Sequence, residues 1–147
     1  PRIFFILSAL IKIIVQVFYL FYTLLTIPRF NFLILQNPPG IPAIYICSIV
    51  CFIRRATFVL DWHNYGYTIL QCNGRNKLIC YIAKLYEHLY GHSSHINFCV
   101  SDAMKKNLKD MFNIDAITLP DQAMRNVFKR LNLEEAHTVF QKYEEYK

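Results

Sequence analysis

Four short strand-like segments separated by helical patterning constrain this chain more than any other feature. Residues 31–36 form a short continuous apolar run that closes on Gln36, and residues 57–60, 95–100 and 116–119 read as three further strands. Runs of this kind mark strands buried on both faces, as in parallel sheets. Between them lie stretches with helix signals. Asn37-Pro38-Pro39-Gly40 can continue neither strand nor helix, and Pro42 suits the first turn of a helix ending near Arg54 and Arg55, whose charges would meet its negative end. A second helix is expected over residues 77–90 with Gly91 as its stop. A third follows Ser101 as N-cap, with Asp102 at its positive end, and closes near Asn113. The order is strand, helix, strand, helix, strand, helix, strand. That order predicts an α/β domain, a Rossmann-like parallel sheet with helices on both faces.

Ligands of such sheets bind beyond the carboxyl ends of the strands. Two loops rich in unusual residues fall there, residues 36–42 and 61–67, and they should lie side by side. In the second, Asp61 and His63 are two apart, among Trp62, Asn64, Tyr65, Gly66 and Tyr67. A carboxylate beside an imidazole orients it and raises its basicity, which suits removal of a proton from a sugar hydroxyl. The aromatics offer flat faces to sugar rings and Asn64 offers donor and acceptor groups. Asp61 as a loop cap and His63 as a backbone hydrogen-bonder fit the residues equally well. Gln36 and Asn37 can hydrogen-bond a polar ligand, although a plain connector would read the same. His88, His92 and His95 lack a third ligand at a diagnostic spacing and a catalytic Glu between the pair, so no metal site is expected. Ser101-Asp102 could hold a phosphate on exposed N–H groups, or could simply cap a helix.

Composition narrows the setting. The 147 residues fit one domain. They are 54% hydrophobic and 18% charged, against about 25% charged in typical soluble domains. Residues 1–60 carry Arg2, Lys12, Arg29, Arg54 and Arg55 and no Asp or Glu. A basic, apolar first half suits anionic headgroups or a phosphate-bearing lipid; its cations are too scattered for nucleic acid. Residues 3–27 are almost wholly apolar, but Lys12 and Gln16 interrupt them one helical turn apart. That spacing favours a helix half-buried in the fold or lying in a headgroup region over a true span. The five cysteines show no Cys-x-x-Cys pattern, so reduced thiols are expected, with Cys47 and Cys51 facing a core. The chain starts at Pro1 and ends in a charged helical pattern, and both ends are expected to be cuts in a longer protein.

Gln36-Asn37-Pro38-Pro39-Gly40-Ile41-Pro42, followed by Val59-Leu60-Asp61-Trp62-His63-Asn64-Tyr65-Gly66-Tyr67, resembles the chitobiosyldiphosphodolichol beta-mannosyltransferase family. Ala83-Lys84-Leu85-Tyr86-Glu87, residues 95–100 and Asp102-Ala103-Met104 follow in the same order. The resemblance covers residues 1–119; the heptad at 61–67 is its most specific part. It implies a GT-B glycosyltransferase of the dolichol pathway, built of two Rossmann-like domains, of which this chain would be the incomplete N-terminal, acceptor-side half. Residues 120–147 would be a divergent helical tail. The implied reaction moves mannose from GDP-mannose to GlcNAc2-diphosphodolichol with inversion, making a β-1,4 link on the cytosolic face of the endoplasmic reticulum membrane for protein N-glycosylation.

By the same resemblance His63 or Asp61 would be the base or its orienting partner. Gln36, Asn37, Asn64, Tyr65 and Tyr67 would line the acceptor side. No metal or other cofactor is implied, and the donor would be bound mainly by the C-terminal domain. The partners implied are the lipid-linked acceptor, the membrane surface and other mannosyltransferases of the pathway. One departure stands out: the family's Tyr-Asp-Lys/Arg-Pro stretch reads Leu119-Pro120-Asp121-Gln122 here, with Asp121 alone retained. That change and the absent second domain leave open a non-catalytic relative that binds membrane and partner. A small membrane-anchored structural protein would leave both loop motifs unexplained.

Overall fold

The computed structural model describes residues 2–123 and 130–141. Its elements are α1 (Arg2–Thr26), β1 (Phe32–Asn37), α2 (Ala43–Arg54), β2 (Thr57–Trp62), α3 (Gly66–Cys72), α4 (Lys77–Gly91), β3 (Ile96–Cys99), α5 (Asp102–Phe112), β4 (Ile117–Thr118) and α6 (Leu133–Phe140). The four strands make one parallel sheet in the order β1-β2-β3-β4, flanked by helices. The α/β, Rossmann-like class expected from the alternating pattern is what the chain adopts.

Strand periodicity sorts the side chains into faces. Leu33 and Leu35 of β1 align with Phe58 and Leu60 of β2, and Trp62 aligns with Cys99 of β3. These residues share one core with Ile44, Cys47, Val50 and Cys51 of α2, Ala83 of α4, and Leu108 and Phe112 of α5. Cys47 and Cys51 face that core as their spacing predicted, and burial pushes the Cys47 thiol up to about 12. On the opposite face of the sheet Val59 is buried, whereas Phe32, Ile34 and Ile117 remain exposed.

Helix α1 lays Val17, Leu20, Phe21 and Leu24 against the core. Among the described residues no helix is long and apolar enough to cross a membrane. The C-terminus of α1 is held by Arg54, whose Nη1 donates to the Leu24 carbonyl at 2.6 Å and whose two Nη atoms both donate to the Ile27 carbonyl at 2.9 Å. The guanidinium also stands 4.8 Å from the Phe30 ring centre. Arg54 thus neutralises the negative end of a neighbouring helix rather than that of α2, where the sequence pattern placed it. Arg55 closes α2 in the left-handed conformation at φ 55°.

Two other boundaries differ from the sequence reading. The stretch read as a loop over residues 61–67 is shorter: β2 continues through Trp62, and α3 begins at Gly66. Gly91 belongs to α4 and does not stop it, since His92 caps the helix at φ −75°. A Cβ at Gly91 would stand 2.7 Å from Ile114 Cδ1 and 2.9 Å from Trp62 Cζ2. The glycine is there because the Trp62 ring lies against the helix backbone. Of the tail expected to be helical from residue 120, Leu133–Phe140 forms α6 behind an Asn132–Glu135 capping box, and residues 120–123 and 130–132 are not helical; residues 124–129 and 142–147 lie outside the described residues.

Candidate active site

The two loops meet as the topology requires. In the parallel register Gln36 pairs with Asp61 and Asn37 with Trp62. The Asn37 carbonyl then accepts the His63 and Asn64 backbone N–H groups at 3.0 and 3.3 Å, which fixes the path of the chain beyond β2.

His63 Nε2 is 2.9 Å from Asp61 Oδ2, with both side chains about a quarter exposed. A carboxylate can only accept, so Nε2 carries the hydrogen and the neutral imidazole keeps its lone pair on Nδ1. That atom is 3.6 Å from Oδ2 of the exposed Asp121 side chain, too far for a strong hydrogen bond. Asp121, three residues beyond β4, is thereby brought to the imidazole. Gln36 stands beside Asp61 on the same sheet face and is exposed, as is Asn64. Gln36, Asp61, His63 and Asn64 therefore reach the surface together at the carboxyl end of the sheet.

The other three singled-out residues turn inward. Asn37 is fully buried; its amide donates to Glu87 Oε1 at 2.8 Å. Tyr67 is buried against Phe112, with Lys84 Nζ 5.5 Å above its ring. Tyr65 is half-buried between Trp62, Tyr67 and Phe112, and its hydroxyl donates to Asn107 Oδ1 at 2.8 Å. Burial, with Tyr67, Cys99 and Glu87 nearby, pushes the Tyr65 hydroxyl up to about 12. These rings stiffen the floor of the loop.

Glu87 is the residue the loop motifs did not point to. It is 2% exposed. It accepts from Asn37, from the Gly66 backbone N–H at 2.7 Å and from the Tyr67 N–H at 3.4 Å, so it anchors the start of α3. Burial raises its pKa, and these three donors oppose the rise. Beside it opens an apolar cavity of about 220 Å³ between Pro38, Pro39 and Gly40 on one side and Ile69, Leu70 and Ala83 on the other.

The histidines outside the loop do not converge. His88 and His92 stack edge to face at 5.8 Å, whereas His95 Nδ1 accepts the Phe58 N–H at 3.0 Å where β2 and β3 begin to pair. Ser101 acts as a cap, its hydroxyl accepting the Met104 N–H at 3.2 Å. Among the described residues no three His, Cys, Asp or Glu side chains gather as a metal site would need.

The chain is 38% identical over 133 residues, 90% of its length, to the Homo sapiens chitobiosyldiphosphodolichol beta-mannosyltransferase. It is homologous to one segment of that enzyme family. The protein of the same name from Dictyostelium discoideum is 35% identical over 117 residues, 76% of this chain and 24% of its own length. An Arabidopsis thaliana protein named UDP-glycosyltransferase TURAN is 33% identical over 142 residues, 95% of this chain and 30% of its own length. The chain spans only 28% of the length of the human relative. No family model and no solved structure matches it. The match to the chitobiosyldiphosphodolichol beta-mannosyltransferases runs through the segment that carries Gln36, Asp61, His63 and Asn64.

Proposed function

We propose that this chain is the acceptor-side part of an inverting glycosyltransferase acting on a dolichol-diphosphate-linked GlcNAc2. The Asp61–His63 hydrogen bond at the carboxyl end of the sheet carries the reading. In an inverting transfer the acceptor hydroxyl attacks the anomeric carbon directly as the nucleoside diphosphate departs, so a base must remove the hydroxyl proton. His63 Nδ1 has the free lone pair for that step, and Asp61 holds the tautomer and balances the imidazolium that forms. Gln36 and Asn64 hydrogen-bond the acceptor sugar beside it. The donor is GDP-mannose and the link formed is β-1,4. A second domain of the longer protein supplies the groups that bind the donor and stabilise the departing diphosphate. The reaction belongs at the cytosolic face of the endoplasmic reticulum membrane, early in assembly of the lipid-linked oligosaccharide for protein N-glycosylation.

The test is transfer by the full-length gene product, with labelled GDP-mannose or a UDP-sugar as donor and a GlcNAc2-diphosphate lipid as acceptor. Mannose transfer that His63→Ala abolishes in a folded protein supports the proposal. Transfer from the UDP-sugar alone, the donor class named in the Arabidopsis relative, overturns the donor assignment. A folded protein inactive with both donors is the result expected of a non-catalytic relative.

A further inference from the structure

The outer face of α4 is apolar where a solvent-facing helix is ordinarily polar. Cys80, Ala83, Glu87 and Gly91 form its buried side. Opposite them, Leu78, Tyr81, Ile82, Leu85 and Leu89 recur at helical spacing and are 43 to 64% exposed. No charged residue of α4 interrupts this stripe. The charges flanking it in the sequence have one sign: between Trp62 and Ser101 the chain carries Arg75, Lys77 and Lys84, and its single carboxylate there, Glu87, is buried. Arg75 and Lys77, at the start of the helix, are exposed.

We propose that α4 lays this face into the surface of an anionic bilayer, as a membrane contact in addition to α1. An apolar stripe flanked by Lys and Arg is the pattern of a helix lying in the plane of the interface, with the cations at the headgroups and Leu and Ile at the acyl boundary. A partner protein docking on the same stripe would need carboxylates placed opposite Arg75 and Lys77 at its rim, whereas acidic lipid supplies a counter-charge at every point. Because α4 is tied to the catalytic loop through Glu87, its docking holds that loop at a fixed height above the lipid that carries the acceptor.

The test uses the full-length gene product with exposed Cys72 changed to Ser and a nitroxide attached through Ile82→Cys. Vesicles of phosphatidylcholine with phosphatidylserine are compared with phosphatidylcholine alone. On the anionic vesicles the label is expected to become accessible to oxygen and shielded from an aqueous nickel chelate. Ile82→Glu with Leu89→Glu is expected to weaken partitioning of the full-length gene product onto the same vesicles about tenfold. A label that stays in water while the protein is vesicle-bound overturns the proposal. So does a label shielded from both agents without lipid, which would mark a protein-covered face. Transfer to an acceptor dissolved in detergent is measured alongside: it is expected to survive the Glu variants, so loss of membrane docking and loss of the enzymatic function are read separately.

Discussion

The Asn37 amide donates to the Glu87 carboxylate at 2.8 Å, joining the end of β1 to the middle of α4. The same carboxylate oxygen accepts the Gly66 N–H, so one buried group ties together the two segments that bracket His63. Removing the Asn37 side chain takes a donor from a buried carboxylate, and a hydrogen bond to a charged group is worth about 1.5–3 kcal/mol. Asn37→Ala is therefore expected to lower stability by about 2 kcal/mol, read as a shift in the urea midpoint with an unchanged slope.

The raised pKa of Glu87 makes this anchor pH-dependent. A carboxyl whose pKa is higher folded than unfolded binds its proton more tightly in the native state. It thus contributes stability fully below its unfolded pKa, and that contribution is lost as pH rises through the folded value. Glu87→Gln removes this titration. The stability of the wild type relative to Glu87→Gln is expected to be greatest below the ordinary carboxyl value of 4.5 and to decline as pH rises above it. Denaturation curves of both proteins across that range check the sign; a difference that grows with pH contradicts it.

Much of this arrangement is legible in the sequence, because the apolar runs and the interrupting prolines carry local physics. The runs at 31–36 and 57–60 are apolar because β1 and β2 contribute side chains to the packed sheet, and parallel pairing then brings Gln36 to Asp61. Glu87 is less legible. Its partners Asn37 and Gly66 are 50 and 21 residues distant, so the Ala83–Glu87 stretch of the resemblance gave it no role. Its physical signal is position: it shares a helical face with Cys80, Ala83 and Gly91, where a charge is out of place. Helix α3 escaped for another reason. Its seven residues begin inside the aromatic loop motif, and isolated segments of that length have little helical preference of their own.

Gly91 shows how a residue can have the right identity for a reason other than the expected one. It is not needed for a left-handed turn but for the contact between α4 and the Trp62 ring. Gly91→Ala would gain helix propensity in isolation. Here the added methyl meets Trp62 and Ile114 at under 3 Å. Overpacking of this kind costs about 1–3 kcal/mol and outweighs the propensity gain. A lower melting temperature is expected, accompanied by a change in near-ultraviolet dichroism from Trp62, which is the single tryptophan of the chain.

Asp61 and His63 offer the sharpest test of the catalytic reading, because it makes their effects dependent on one another. If Asp61 acts by holding His63 in the tautomer with hydrogen on Nε2, it has nothing to do once the imidazole is gone. In the full-length enzyme His63→Ala is expected to lower kcat/KM about a hundredfold or more, the range for loss of a general base. Asp61→Asn should cause a smaller loss, since the amide can still contact the ring but cannot balance its charge. The double variant should then be no worse than His63→Ala alone, the signature of residues that act as a unit. Losses that multiply instead would give Asp61 an independent role, such as direct contact with the acceptor sugar beside Gln36, and would remove it from the orienting position.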